Sequence, residues 1–206
     1  MTIEKGKEWG TSIVVPKGVI SISRDSDLAS QSRNTLCQLT AGELWRTLGE
    51  PVSRQTGEEA TVVPIDALEV SVVEAHHTTV MMAVSNVQIG RLFSLTQLVH
   101  QQRFVVVTNC GLVDDFNVAP RAHPNDGLFD VVAFSPRMSL MQRVLSRQRL
   151  RTGTHVPHPD ISVTRLSEFE VFRTGARESL LIDSVPVRDW YSLSIRILPD
   201  YWRVII

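Results

Sequence analysis

Ser192-Leu193-Ser194-Ile195-Arg196-Ile197 decides the fold class. Every second side chain is apolar, so one face of an extended chain is greasy and the other polar. This is the pattern of an antiparallel sheet with one face on a core and the other in water. Short apolar, β-branched runs of the same kind recur along the chain, bounded by Gly, Pro or polar turns. Upstream they are Thr11–Pro16, Val19–Ser23, Ala60–Ile65, Leu68–Val73, Thr79–Val87 and Arg103–Asn109. Leu128–Phe134, Ile161–Val163, Phe169–Arg173 and Ser179–Ile182 follow, Leu193–Leu198 holds the deciding stretch, and Trp202–Ile206 closes the series. Two segments read as helical. Asp25–Leu39 opens with Asp and Ser as N-caps and places Leu28, Leu36 and Leu39 on one side. Ser135–Arg149 begins Ser-Pro and sets Met141, Val144, Leu145 and Leu150 on a stripe expected to face the core. The expected fold is mainly β (α+β): a two-sheet antiparallel β-sandwich with about two helices at its ends or edges.

Composition bounds the rest. The chain has 206 residues, 43% hydrophobic and 21% charged, with a net charge of −1. Those values exclude a wholly disordered chain and a coiled coil. The near-zero charge argues against a nucleic-acid binder, which carries a strongly basic face. No apolar run approaches the roughly 20 residues of a bilayer span. The polar start MTIEKGKEWG has no signal-peptide core. Cys37 and Cys110 form no CxxC site and read as buried thiols of a cytoplasmic protein. Residues 1–10 are expected to be a flexible N-terminus ahead of a single domain over 11–206, and Gly49–Glu59 is a loop.

Two segments carry candidate chemistry. In A-P-R-A-H-P-N-D-G-L-F-D, Ala119–Asp130, two prolines and Asn-Asp-Gly force a tight irregular turn before a strand. Asp126 beside Gly127 sets a carboxylate among exposed carbonyls, the hard-oxygen donor set that Mg²⁺ or Ca²⁺ prefers; the turn alone is the simpler explanation. In R-Q-R-L-R-T-G-T-H-V-P-H-P, Arg147–Pro159, arginines end a helix where the dipole favours cations. Arg149, Arg151, His155 and His158, with Asp183, form a candidate ligand or anion cluster, since arginine pairs with phosphate in a fork. Pro157 and Pro159 prevent the two histidines from sharing a helical face, and solvated or loop positions are the plainer expectation. No nucleophile elbow, Walker A loop or G-x-G-x-x-G is present.

The Ala119–Val132 run resembles the A-x-x-x-D-G-x-L-D-V signature of the C-terminal half of the diacylglycerol kinase, sphingosine kinase and bacterial lipid kinase family, relatives of NAD kinases. Phe104–Asn109 (FVVVTN) resembles the strand before that signature. Ile182-Asp183-Ser184-Val185-Pro186-Val187 resembles the family's D-G-E-P segment, and Leu193–Ile206 its closing strands. The resemblance is clear from Arg103 to Ile206. Gly42–Gly49 (GELWRTLG) and R-T-G-T-H-V-P-H-P extend it toward short bacterial proteins classed with these kinases. It implies a two-sheet β-sandwich and a structural Mg²⁺ held by Asp126 and by the carbonyls of Leu128 and His123.

The departures matter as much. The family's nucleotide site carries G-G-D-G-T, which these residues lack, so ATP is not expected to bind this chain alone. Val185 stands where the family has the Glu of D-G-E, its presumed general base, and valine cannot accept a hydroxyl proton. The expected function is a lipid-kinase-like domain, inactive alone, that binds a lipid or a partner nucleotide-binding domain. The alternative is an active lipid kinase, or a metal-dependent enzyme using Asp126, His123, His155 and Asp183. The third expectation is a purely structural or oligomeric module, favoured by a flat apolar patch around Trp45, Trp190 or Trp202; exposed sandwich edges would favour a homodimer.

Overall fold

A computed structural model describes residues 9–90, 103–175 and 178–206. The expected flexible N-terminus lies outside these residues as far as position 8. In chain order the elements are β1 (Thr11–Val14), β2 (Ile20–Ile22), α1 (Asp25–Ala29), β3 (Leu36–Leu39), α2 (Glu43–Thr47), β4 (Glu59–Glu74), β5 (Thr78–Ala83), β6 (Asn86–Ile89) and β7 (Phe104–Thr108). They continue with β8 (Leu112–Val113), β9 (Phe116–Asn117), β10 (Phe129–Phe134), α3 (Leu140–Leu150), β11 (Ile161–Leu166), β12 (Glu168–Phe172), β13 (Leu180–Ile182), β14 (Val185–Val187) and β15 (Trp190–Ile205).

Two sheets carry the fold, as the alternation predicts. A seven-stranded sheet runs β1-β4-β15-β3-β2, with β5 added to β4 and β12 added to β15. A six-stranded sheet runs β11-β10-β7-β6-β13-β14. Most pairs are antiparallel; β3 pairs in parallel with both β15 and β2. The alternating stretch sends Leu193 and Ile195 into the core between the sheets, where they meet Leu68, Val70, Val107 and Phe129.

Several expected segments merge or split. Ala60–Ile65 and Leu68–Val73 are one strand, β4, and Leu193–Leu198 and Trp202–Ile206 belong to another, β15. These long strands pair along their lengths, with a register shift between Leu198 and Trp202. Asp66 sits opposite that irregularity. Its carboxylate accepts the N–H groups of Asp200 and Gly127, each at 2.9 Å, and Asn125 Nδ2 at 2.9 Å. Thr79–Val87 divides at Val84-Ser85, where the chain leaves β5 in one sheet and enters β6 in the other.

The helices depart most from expectation. Asp25–Leu39 is helical only over α1; the chain turns through Asn34 at φ +63° and enters β3. The sheet claims Leu36–Leu39 because two neighbouring strands offer partners, which outweighs local helical spacing. α2 lies in a segment where no helix was expected. α3 begins later than Ser135: Ser139 caps it, its hydroxyl accepting Gln142 N–H while Gln142 Oε1 accepts Ser139 N–H.

The stripe of α3 is inverted. Leu150 is buried, but Met141, Val144 and Leu145 are exposed, and the inner face is Arg143, Ser146 and Leu150. Arg143 explains this. Its guanidinium donates to the carbonyls of Met138, Ser135 and Pro136 in the turn ahead of the helix. Those carbonyls have no strand partner, and satisfying them draws a charged side chain inward. Trp190 and Trp202 are core residues at 1% and 0% exposure, so they form no surface patch.

Candidate functional site

Three acidic side chains from distant parts of the sequence meet at the tip of the β13–β14 hairpin. The hairpin turns on Asp183 and Ser184, both in the left-handed region at φ +44° and +66°. That conformation is the two-residue turn that matches sheet twist. The Asp183 carboxylate accepts Val84 N–H at 2.7 Å, Ser85 N–H at 2.9 Å, Asn86 N–H at 3.1 Å and Ser85 Oγ–H at 2.8 Å. It ties the hairpin to the β5–β6 crossover and has few lone-pair directions left.

Asp25 and Glu43 complete the group. Asp25 Oδ2 accepts the N–H groups of Glu43 and Leu44 at 3.0 and 3.3 Å, joining α1 to α2. Its Oδ1 is buried without a hydrogen-bond partner and lies against Gly42, at φ +108°, where a Cβ would come within 2.4 Å of it. Glu43 accepts Asp114 N–H at 2.7 Å and Asn86 Nδ2–H. Burial pushes Asp25 up to about 6, helped by the charge of Asp183. Burial likewise pushes Glu43 up to about 7. Asp183 is also raised by burial, against the pull of its N–H donors.

Beside the hairpin is a cleft of about 770 Å³. Val80, Met81, Met82, Val185 and Val187 give it an apolar lining, with Arg188 among its polar groups. Val185 is 49% exposed. At this position the cleft offers a valine and, next to it, an aspartate already engaged by four donors. Neither side chain is placed to take a proton from a hydroxyl.

The other expected site residues are dispersed. Asp126 pairs with Arg165 through Oδ2, and its Oδ1 accepts Leu128 N–H at 3.1 Å. His123 Nδ1 accepts Asn125 N–H at 3.2 Å, and its ring meets the Trp9 edge at 4.7 Å. His155 is buried, its Nε2 hydrogen-bonded to the Val118 carbonyl at 3.0 Å, and burial lowers its pKa. His158 accepts Asp160 N–H and lines a second cleft of about 610 Å³ with Arg121, Asp130 and Arg165. Arg149 and Arg151 are exposed at the end of α3. Among the described residues no three His, Cys, Asp or Glu side chains are placed to hold a metal ion. His123 and Asp126 share one loop, but His155 is held at the Val118 carbonyl and Asp183 at the β5–β6 crossover, so among the described residues the four do not come together as the shared metal centre of the alternative. A Mg²⁺ at the Asp126 carboxylate would compete with Arg165, which already supplies positive charge there.

The two packed sheets define a class, a β-sandwich of the NAD kinase-like kind. The chain belongs to the family described as the YegS C-terminal NAD kinase beta sandwich-like domain, which matches residues 67–184, more than half of its length. Two crystal structures of diacylglycerol kinase-like proteins from Bacillus anthracis (strain Sterne) share the fold at 12% identity and a TM-score of 0.54. Each covers 82% of this chain, which spans 69% of one of them and 67% of the other. No curated protein matches the sequence.

Asp25, Glu43 and Asp66 were missed as site residues. Asp66 had a signal, a lone acid inside the apolar run Val62–Leu68. Asp25 was legible only as an N-cap and Glu43 only as part of Gly42–Gly49, because only the fold brings positions 25, 43 and 183 together.

Proposed function

We propose that this is a lipid-kinase-like domain that binds a lipid without phosphorylating it on its own. The observation that carries this is the apolar cleft at the hairpin, with Val185 where the resemblance expects a carboxylate. Its volume lies in the range of small-molecule sites. Its valines and methionines suit an acyl or acylglycerol chain, and Arg188 with Glu74 and Asp189 suits an uncharged, hydroxyl-bearing head. No G-G-D-G-T nucleotide cradle exists in the 206 residues, and phosphoryl transfer needs such a cradle.

The test is a titration with a fluorescent diacylglycerol analogue, run beside an assay for phosphate transfer from Mg-ATP. Saturable binding without product is expected. Met81→Arg and Val185→Arg should weaken that binding by about tenfold or more, since each places an unpaired charge in the apolar lining. Turnover by the pure chain, or binding indifferent to both variants, would overturn the proposal.

A second reading rests on the resemblance of Ile182–Val187 to the family's D-G-E-P segment: a nucleotide-binding domain docks at this hairpin. It predicts lipid phosphorylation when a G-G-D-G-T domain is added, and a gain in rate with Val185→Glu.

The resemblance also proposes a structural Mg²⁺ at Asp126 with the Leu128 and His123 carbonyls, where the metal would brace the Asn125–Gly127 turn. Melting with and without Mg²⁺ tests it, as set out below.

A further inference from the structure

The outward face of α3 has no counterpart in the site above. Leu140, Met141, Val144 and Leu145 are 57%, 75%, 56% and 48% exposed, on a helix whose inner face holds a buried arginine. At 100° per residue, Met141, Val144 and Leu145 centre on the outward direction. Arg151 lies along one edge of this stripe and Arg149 along the other. Neither side chain has an ion-pair partner among the described residues. The segment 131–159 contains five arginines and no aspartate or glutamate, in a chain whose net charge is −1. Positive charge is therefore concentrated around this one exposed apolar strip.

We propose that the outer face of α3 is a docking surface for an anionic lipid bilayer. A helix lying in the interface plane buries a narrow apolar face at the headgroup boundary and keeps its cations among the lipid phosphates. α3 has that arrangement, with methionine and leucine at the centre and arginine on both flanks. An acidic protein groove would match the charge, but it would not explain arginines bracketing the strip on both sides. The proposal is independent of lipid occupancy at the hairpin, since α3 packs on a different sheet region, against β9 and the Phe104–Phe134 cluster.

The test is co-sedimentation of the full chain with vesicles of phosphatidylcholine alone or mixed with phosphatidylglycerol. Binding to the anionic vesicles only, weakened by salt, is expected. Met141→Ser with Leu145→Ser, and separately Arg149→Glu with Arg151→Glu, should each lower partitioning by about tenfold or more. All four side chains are exposed, so melting temperature and circular dichroism should hold; should one pair disturb folding, the other still decides. Equal binding to neutral vesicles, or anionic binding unchanged in both pairs, overturns the proposal. So does self-association through α3 without vesicle binding, which would assign the face to a second copy. Loss of vesicle binding in Met81→Arg alone would move the membrane contact to the hairpin cleft and also overturn it.

Discussion

Asp183 closes a turn and joins two sheets with one carboxylate, so its value is structural before it is chemical. Asp183→Asn replaces an acceptor oxygen with a donor facing N–H groups, and a loss of about 2–4 kcal/mol in urea unfolding is expected. Ser184 holds φ +66°, where a Cβ is strained and glycine is not. Ser184→Gly should therefore stabilise the chain by about 0.5–1 kcal/mol, read as a higher denaturant midpoint. Asp25 and Glu43 give the cluster a pH signature. Their folded values, about 6 and about 7, lie above ordinary values of 3.8 and 4.5. The folded state thus binds more protons than the unfolded one across that window, and stability falls as pH rises through it. Glu43→Gln should flatten the decline in melting temperature between about pH 5 and about pH 8; an unchanged slope would place no raised carboxyl at Glu43.

At the scale of elements, the strands were legible because their signal is local. Leu193 and Ile195 alternate with serine and arginine, and that pattern survives in β15 as core and solvent faces. The two expected helices were legible in place but not in extent or orientation, for two different reasons. Leu36–Leu39 has helical spacing but gains partners in β2 and β15, so the sheet takes it. The α3 stripe was correctly seen as apolar and wrongly aimed inward, because the carbonyls that Arg143 satisfies come from a turn invisible to periodicity. The Ser139 cap has an energetic consequence as well. Ser139→Ala removes one side of a capping box and should cost about 1 kcal/mol in thermal or urea unfolding.

For the whole molecule, the family resemblance pointed to the sandwich and to the Ile182–Val187 segment that holds Asp183. It did not find the acids that meet Asp183: position 25 lies outside the stretches that carry the resemblance, and Glu43 lies inside Gly42–Gly49 without any role attached to it. The Asn125–Gly127 loop shows the same division. Its Asp-Gly turn was legible, whereas the buried carboxylate that holds it, Asp66, comes from β4. Burial pushes Asp66 up to about 6 against the pull of its N–H donors, so the stability linked to this group falls as pH rises through that value. The Mg²⁺ proposal makes a global prediction. If the ion binds at Asp126, added Mg²⁺ raises the melting temperature and Asp126→Ala abolishes the rise. No response in the parent chain would leave Arg165 as the cation of that carboxylate.

The hairpin cleft is proposed to hold a lipid that the chain alone does not phosphorylate. The most direct measurement follows lipid occupancy and phosphate transfer together, in one sample of purified chain with a diacylglycerol analogue and Mg-ATP. Saturable occupancy, sensitive to Met81→Arg and without phosphorylated product, is predicted. Product formed by the chain alone, or no occupancy of the cleft, would contradict the account.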